Sequence, residues 1–145
     1  MVQTFAPSTP IKLLVVEDSE PVRRCVVSEL REMPEVGEVV EAGDYAAALE
    51  ALRAGRPDVV ILDVQLPDGS GLEVLRDLRK GGAPIGVIIF SNLATRSLFF
   101  GCADLQPDFV FNKSADFEDV KEAVRLLGAR QPLAAAAGFA GLPPR

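Results

Sequence analysis

The chain has 145 residues, no histidine and a formal net charge of −6, with 48% hydrophobic and 25% charged residues. The length suits one domain with a core of its own. Without histidine the chain cannot be a histidine phosphodonor, a histidine-ligated metal protein or a Ser-His-Asp hydrolase, and its acidity argues against direct, non-specific nucleic-acid binding. Cys25 and Cys102 are too few for a disulfide framework or a four-cysteine zinc site, and both are expected as small buried residues of a reducing compartment. No apolar run approaches the roughly 18 residues of a membrane span. Residues 1–10 have no basic region followed by an apolar core, so they do not read as a signal peptide and a cytoplasmic location is expected.

Residues 1–10 are polar, proline-containing and aperiodic, and read as a flexible leader. IKLLVV (11–16) is the first predicted strand. Ser19-Glu20-Pro21 is a helix start, with serine as cap and proline in the first turn; Val22, Val26, Leu30 and Met33 then share one face. GEVVEA (37–42) is the second strand. Asp44 caps a second helix with Leu49 and Leu52 turned inward and Gly55 at its close. DVVILD (58–63) is apolar enough for a strand covered on both faces. Asp68-Gly69 reads as the turn before a third helix, which carries Leu72, Leu75 and Leu78 on one stripe and ends at Gly81-Gly82. IGVIIF (85–90) is the fourth strand, and 93–103 a weakly patterned fourth helix. DFVF (108–111) is the fifth strand; Phe117, Val120, Val124 and Leu127 stripe a fifth helix. Residues 129–145, rich in Ala, Pro and Gly, read as a tail or the start of a linker. The predicted fold is therefore α/β, one parallel sheet of five strands with five helices on its two faces, in a domain spanning 11–128.

In open sheets of this kind the functional groups lie beyond the carboxyl ends of the strands. Strand one ends in Glu17-Asp18, strand three in Asp63, strand four in Ser91-Asn92 and strand five in Asn112-Lys113. Carboxylates brought together repel unless a cation shares the site, and an all-oxygen cluster suits Mg²⁺. Lys113 adds a second positive charge. A phosphoryl group is the ligand that metal, ammonium and hydroxyl would hold together.

LLVVEDS (13–19), VVILDVQLPDGSG (59–71), VIIFSN (87–92) and DFVFNKS (108–114) together resemble the receiver domain of two-component response regulators, the CheY-like family. Asp63, Pro67 and Gly71 fit that family's spacing, with proline four and glycine eight residues after the aspartate. The resemblance implies a doubly wound, flavodoxin/CheY-like sheet of order 2-1-3-4-5. It implies that Asp63 accepts a phosphoryl group from a histidine kinase or histidine phosphotransfer protein, and that the domain catalyses its own phosphotransfer and autodephosphorylation. It implies Mg²⁺, with Mn²⁺ as a substitute, held by Asp18, Asp63, Glu17 and the backbone carbonyl of Gln65. Ser91 becomes the switch hydroxyl and Lys113 the contact to the phosphoryl oxygens.

Three positions depart from the family pattern. Ser114 follows the lysine where proline is common, leaving Ser114 or Asp116 to cap the last helix; Asn92 follows Ser91 where alanine is usual; and Val110 stands three before Lys113, with Phe109 and Phe111 either side. Output is expected through the face made by the fourth helix, fifth strand and fifth helix, to a downstream protein rather than directly to nucleic acid or membrane. One of Phe99 and Phe100 would serve there as an exposed anchor. The alternative is a pseudo-receiver, a protein-interaction module that keeps the fold without the phosphorylation.

Overall fold

The computed structural model describes residues 10–82, 84–93, 98, 101 and 103–130. Five strands, β1 (Ile11–Val16), β2 (Val36–Ala42), β3 (Val59–Leu62), β4 (Gly86–Phe90) and β5 (Phe109–Phe111), form one sheet in the order β2-β1-β3-β4-β5. All four pairings are parallel. The four residues of β3 are fully buried, because the strand lies at the centre with helices on both faces.

The alternation of each strand sorts its side chains into two cores. Leu13, Val15, Val59, Ile61, Ile88 and Phe90 meet helices α1 (Glu20–Arg31) and α4 (Phe117–Arg130) on one face. Leu14, Val16, Val60, Leu62, Val87 and Ile89 meet α2 (Tyr45–Ala54) and α3 (Gly71–Lys80) on the other. The stripes read from the sequence are largely those buried, but in α3 Val74, outside the predicted stripe, is fully buried while Leu72 is only partly so, and α2 also differs. In α2 the fully buried residue is Ala48, while Leu52 is only partly buried and Leu49 lines an open groove against α3. An alanine face lets a helix lie close to the sheet, so the larger leucines are left at its margin. Met33 is buried as expected, although α1 ends at Arg31 with Glu32 as its C-cap.

The expectation of five helices is corrected to four among the described residues. Most of the predicted fourth helix, including Phe99, Phe100 and Cys102, lies outside the described residues; within it Leu98 and Gly101 are described and are helical, and a 3-10 turn follows at Ala103–Leu105. The leader and tail fall outside the described residues except for Pro10 and residues 129–130, and α4 itself runs on to Arg130. Cys25 is also corrected: it is exposed on α1, one position off the buried stripe of Val26, Val27 and Leu30.

Two aspartates lock strand starts in the same way. Asp58 accepts the Lys12 N–H at 2.9 Å just before β3, and the buried Asp108 accepts the Val87 N–H at 2.8 Å just before β5. These residues, read as strand from their apolar neighbours, stand outside the strands as side-chain clamps. Arg79 of α3 completes the second clamp. Its Nε donates to the Leu105 carbonyl (2.9 Å), Nη1 to that of Ile85 (3.0 Å) and Nη2 to that of Gln106, which sits in the left-handed region at φ 55°. Burial draws its guanidinium below the usual arginine range, and Asp108 opposes that shift from 3.7 Å.

Candidate functional site

Parallel strands end on the same side, so the residues that follow them share one rim. Glu17 follows β1 and Asp63 follows β3; they are 3% and 4% exposed, which is rare for carboxylates without partners. Their backbones are pinned by Glu17 N–H to Ala42 O (3.0 Å) and Asp63 N–H to Val16 O (3.0 Å), continuations of the sheet ladder. Asp18 is exposed beside them. One carboxylate oxygen from each of Glu17, Asp18 and Asp63 lies within 4.8 Å of the others.

Lys113 reaches the cluster from the end of β5. Its Nζ stands 2.6 Å from Glu17 Oε1 and 2.8 Å from Asp63 Oδ2. Burial pulls the ammonium's pKa down, but the hydrogen bonds to Asp63 and Glu17 outweigh it and hold the group above its ordinary value. Burial pushes the Glu17 carboxyl up; the Lys113 hydrogen bond and the Ser19 N–H (3.1 Å to Oε2) pull it down, and the Asp63 charge pushes up again, leaving it raised. Three carboxylates against one ammonium leave two negative charges, which one divalent cation would cancel. The span suits Mg²⁺, whose oxygens lie at roughly 2.0–2.1 Å, so ligands across the ion are about 4 Å apart.

The other oxygen of Asp63, Oδ1, accepts the Gln65 N–H at 3.1 Å. That residue opens a two-stranded hairpin, Gln65–Leu66 against Gly69–Ser70, turned by Pro67-Asp68. Gly71 then starts α3 directly beneath the acid: a Cβ there would collide with the Asp63 carbonyl oxygen. The glycine eight residues after the aspartate is therefore a demand of close approach. Asp68 does more than turn the chain. Its two carboxylate oxygens accept Tyr45 N–H (2.7 Å) and Ala46 N–H (3.1 Å), which the α2 terminus leaves free, while Asp44 takes Ala47 N–H (2.7 Å). This long-range cap was missed, because a D-G pair signals a turn and not the target of its side chain.

Ser91 follows β4 and is fully buried. Its Oγ accepts the Leu93 N–H (3.2 Å), and its own N–H donates to Phe111 O (3.1 Å). Asn112 Nδ2 donates to Asn92 O at 3.4 Å, a second tie between the loops after β4 and β5. Ser114, in the usual place of proline, donates from N and Oγ to Asn112 Oδ1, both at 2.9 Å; Asp116 caps α4 by accepting the Glu118 N–H at 3.0 Å. Phe109 and Phe111 stack 5.8 Å apart, partly buried against the core under α1 and α4, whereas Val110 packs on the opposite face with Leu98 and Leu105.

The response regulator receiver domain family matches residues 13–125. The chain belongs to that family. This receiver is 50% identical over 68 residues to the DNA-binding transcriptional activator DevR/DosR of Mycobacterium tuberculosis, covering 47% of this chain and 31% of that protein. It is 34% identical over 119 residues to the nitrate/nitrite response regulator protein NarP of Escherichia coli, covering 81% of this chain and 55% of that one. The chain thus spans about a third to a half of these curated relatives' lengths. Among solved structures, response regulator protein TrrA from Thermotoga maritima in complex with Mg(2+)-BeF superposes with TM-score 0.71 at 31% identity, over 81% of this receiver and 98% of that chain. The receiver function is phosphorylation-dependent, centred on the acidic cluster around Asp63.

Proposed function

We propose that Asp63 is the phosphoacceptor, with Glu17 and Asp18 as its divalent-cation partners and Lys113 and Ser91 as its phosphoryl contacts. The observation that carries this reading is the buried Asp63 carboxylate, bonded to Lys113 at 2.8 Å and within 4.8 Å of two further acids. The expected donor is a phosphohistidine on a sensor kinase or phosphotransfer protein. A carboxylate oxygen of Asp63 attacks phosphorus in line; the P–N bond breaks, its electron pair leaves with the imidazole, and Asp63 is left as a mixed anhydride. Held at the acid cluster, Mg²⁺ supplies charge neutralisation for the phosphoryl oxygens. Lys113 supplies the same from the β5 side. Ser91 donates its hydroxyl once it turns from the Leu93 N–H, and the Gln65 carbonyl would be a further metal ligand, a reading supported by the Gln65 N–H bond to Asp63 Oδ1. Hydrolysis of the anhydride resets the switch.

Output is proposed through edge strand β5, helix α4 and the stretch 93–103. The ties from Ser91 N–H to Phe111 and from Asn112 to Asn92 support it, since moving Ser91 pulls on both loops. The test is incubation with a small-molecule phosphodonor and Mg²⁺, followed by intact mass. One added phosphoryl group, labile to hydroxylamine and absent in Asp63→Ala, is the expected result. Unchanged yield in Asp63→Ala would overturn the assignment.

A further inference from the structure

The Glu17-Asp18 turn is held from behind by a side chain that the phosphoryl chemistry does not use. Arg23, in the first turn of α1, donates from Nη1 to the Glu17 carbonyl oxygen at 2.7 Å and from Nε to Glu41 Oε1 at 3.1 Å. Its side chain is 18% exposed and lies over Gly43, where a Cβ would stand 3.2 Å from Nη1. The Glu17 carbonyl belongs to the same peptide plane as the Asp18 N–H, so fixing that oxygen fixes the direction in which Asp18 leaves the chain. Asp18 needs such control. It is the exposed member of the acid triad, and no side-chain hydrogen bond holds its carboxylate among the described residues.

We infer that Arg23 is a positioning residue for Asp18, tying the Glu17–Asp18 peptide to Glu41 so that Asp18 stays in reach of Glu17 and Asp63. The inference rests on the divalent-cation reading above and extends it beyond the ligands themselves. The guanidinium suits the task because its donors diverge in a fixed plane. One edge meets the carbonyl and another the Glu41 carboxylate, a geometry that the point charge of lysine lacks. Outer partners of this kind commonly control metal affinity through ligand orientation.

Charge and positioning make opposite demands here. A cation near a cation site opposes metal binding, so through charge alone removing Arg23 would tighten Mg²⁺. Through positioning its removal loosens Mg²⁺. Calorimetric titration of the full chain with MgCl₂ separates the two, once circular dichroism has shown each variant folded. Arg23→Gln and Arg23→Lys are both expected to weaken binding by about tenfold, and adding Glu41→Gln to Arg23→Gln should cost little more. Unchanged or tighter binding in Arg23→Gln, or parental binding in Arg23→Lys, would overturn the inference. A second readout needs no metal. Amide resonances of Asp18 and Ser19 should move in Arg23→Gln in the presence of EDTA; resonances left in place would overturn it too. If the parent itself binds no Mg²⁺, the cation reading fails, and the metal-free resonances still decide whether Arg23 sets the turn.

Discussion

Lys113 is the residue on which the metal-free site depends. Its ammonium stands between two carboxylates that are each below 5% exposed, and it is the charged partner they share. Replacing it with methionine would leave Glu17 and Asp63 facing each other with their desolvation uncompensated. In Lys113→Met the stability in EDTA should fall by about 3 kcal/mol, the usual cost of breaking a buried pair. Added Mg²⁺ should restore more stability to this variant than to the parent, because it replaces the missing charge. Urea unfolding with and without Mg²⁺ measures both; equal stability of the two proteins in EDTA would refute the argument. Lys113 and its acids were legible in the sequence because each stands within two residues of the end of an apolar run. The role of Gly71 was legible only as a spacing, since the collision it avoids belongs to the turn that brings α3 under Asp63.

The elements near the site are joined by side chains that bond to distant backbone, and these were hidden from the sequence. Asp68 and Arg79 have most of their partners more than twenty residues away, where no periodicity connects them. Asp68 ties the hairpin beyond Asp63 to the start of α2, and its pKa is lowered, chiefly by the Tyr45 N–H bond, against a smaller upward push from burial. A carboxyl whose folded pKa lies below its unfolded value lends stability above the unfolded pKa and loses it as pH falls through the folded one. Asp68→Ala should therefore melt below the parent near neutral pH, and the gap should narrow as the pH drops through the carboxylate range. Parallel melting curves at every pH would count against the cap. The helices themselves were legible wherever a strong apolar stripe met a sheet face, as in α3 and α4. Residues 93–103 have only a weak stripe, and most of them lie outside the described residues.

For the molecule as a whole, the sequence conveyed the alternation of strands and helices, while the strand order came from the family resemblance. Periodicity says which residues turn inward; it does not say which strands are neighbours. The buried hydrophobic residues run from Ile11 to Leu127 among those described. On that ground we propose residues 11–128 as the folding unit, with the last helix running on to Arg130. Ending the chain after Arg130 should leave the melting temperature and the phosphorylation yield unchanged within error. A sharp fall in melting temperature, read by circular dichroism, would move the boundary outward. A Cβ at Gly128 would strike Ile11 at the start of β1, so these two residues meet and support that boundary.

The order of the strands also governs the sequence of assembly. Every pairing in the sheet is parallel, so no two strands can join until a crossover has been laid down between them. β1 lies between β2 and β3, so the stretch from Ile11 to Asp63 already contains three adjacent strands together with Glu17, Asp18 and Asp63. Lys113 comes only after β5, the last strand to be synthesised. A growing chain therefore gathers its negative charges early and receives their counter-charge at the end, in the same event that closes the sheet.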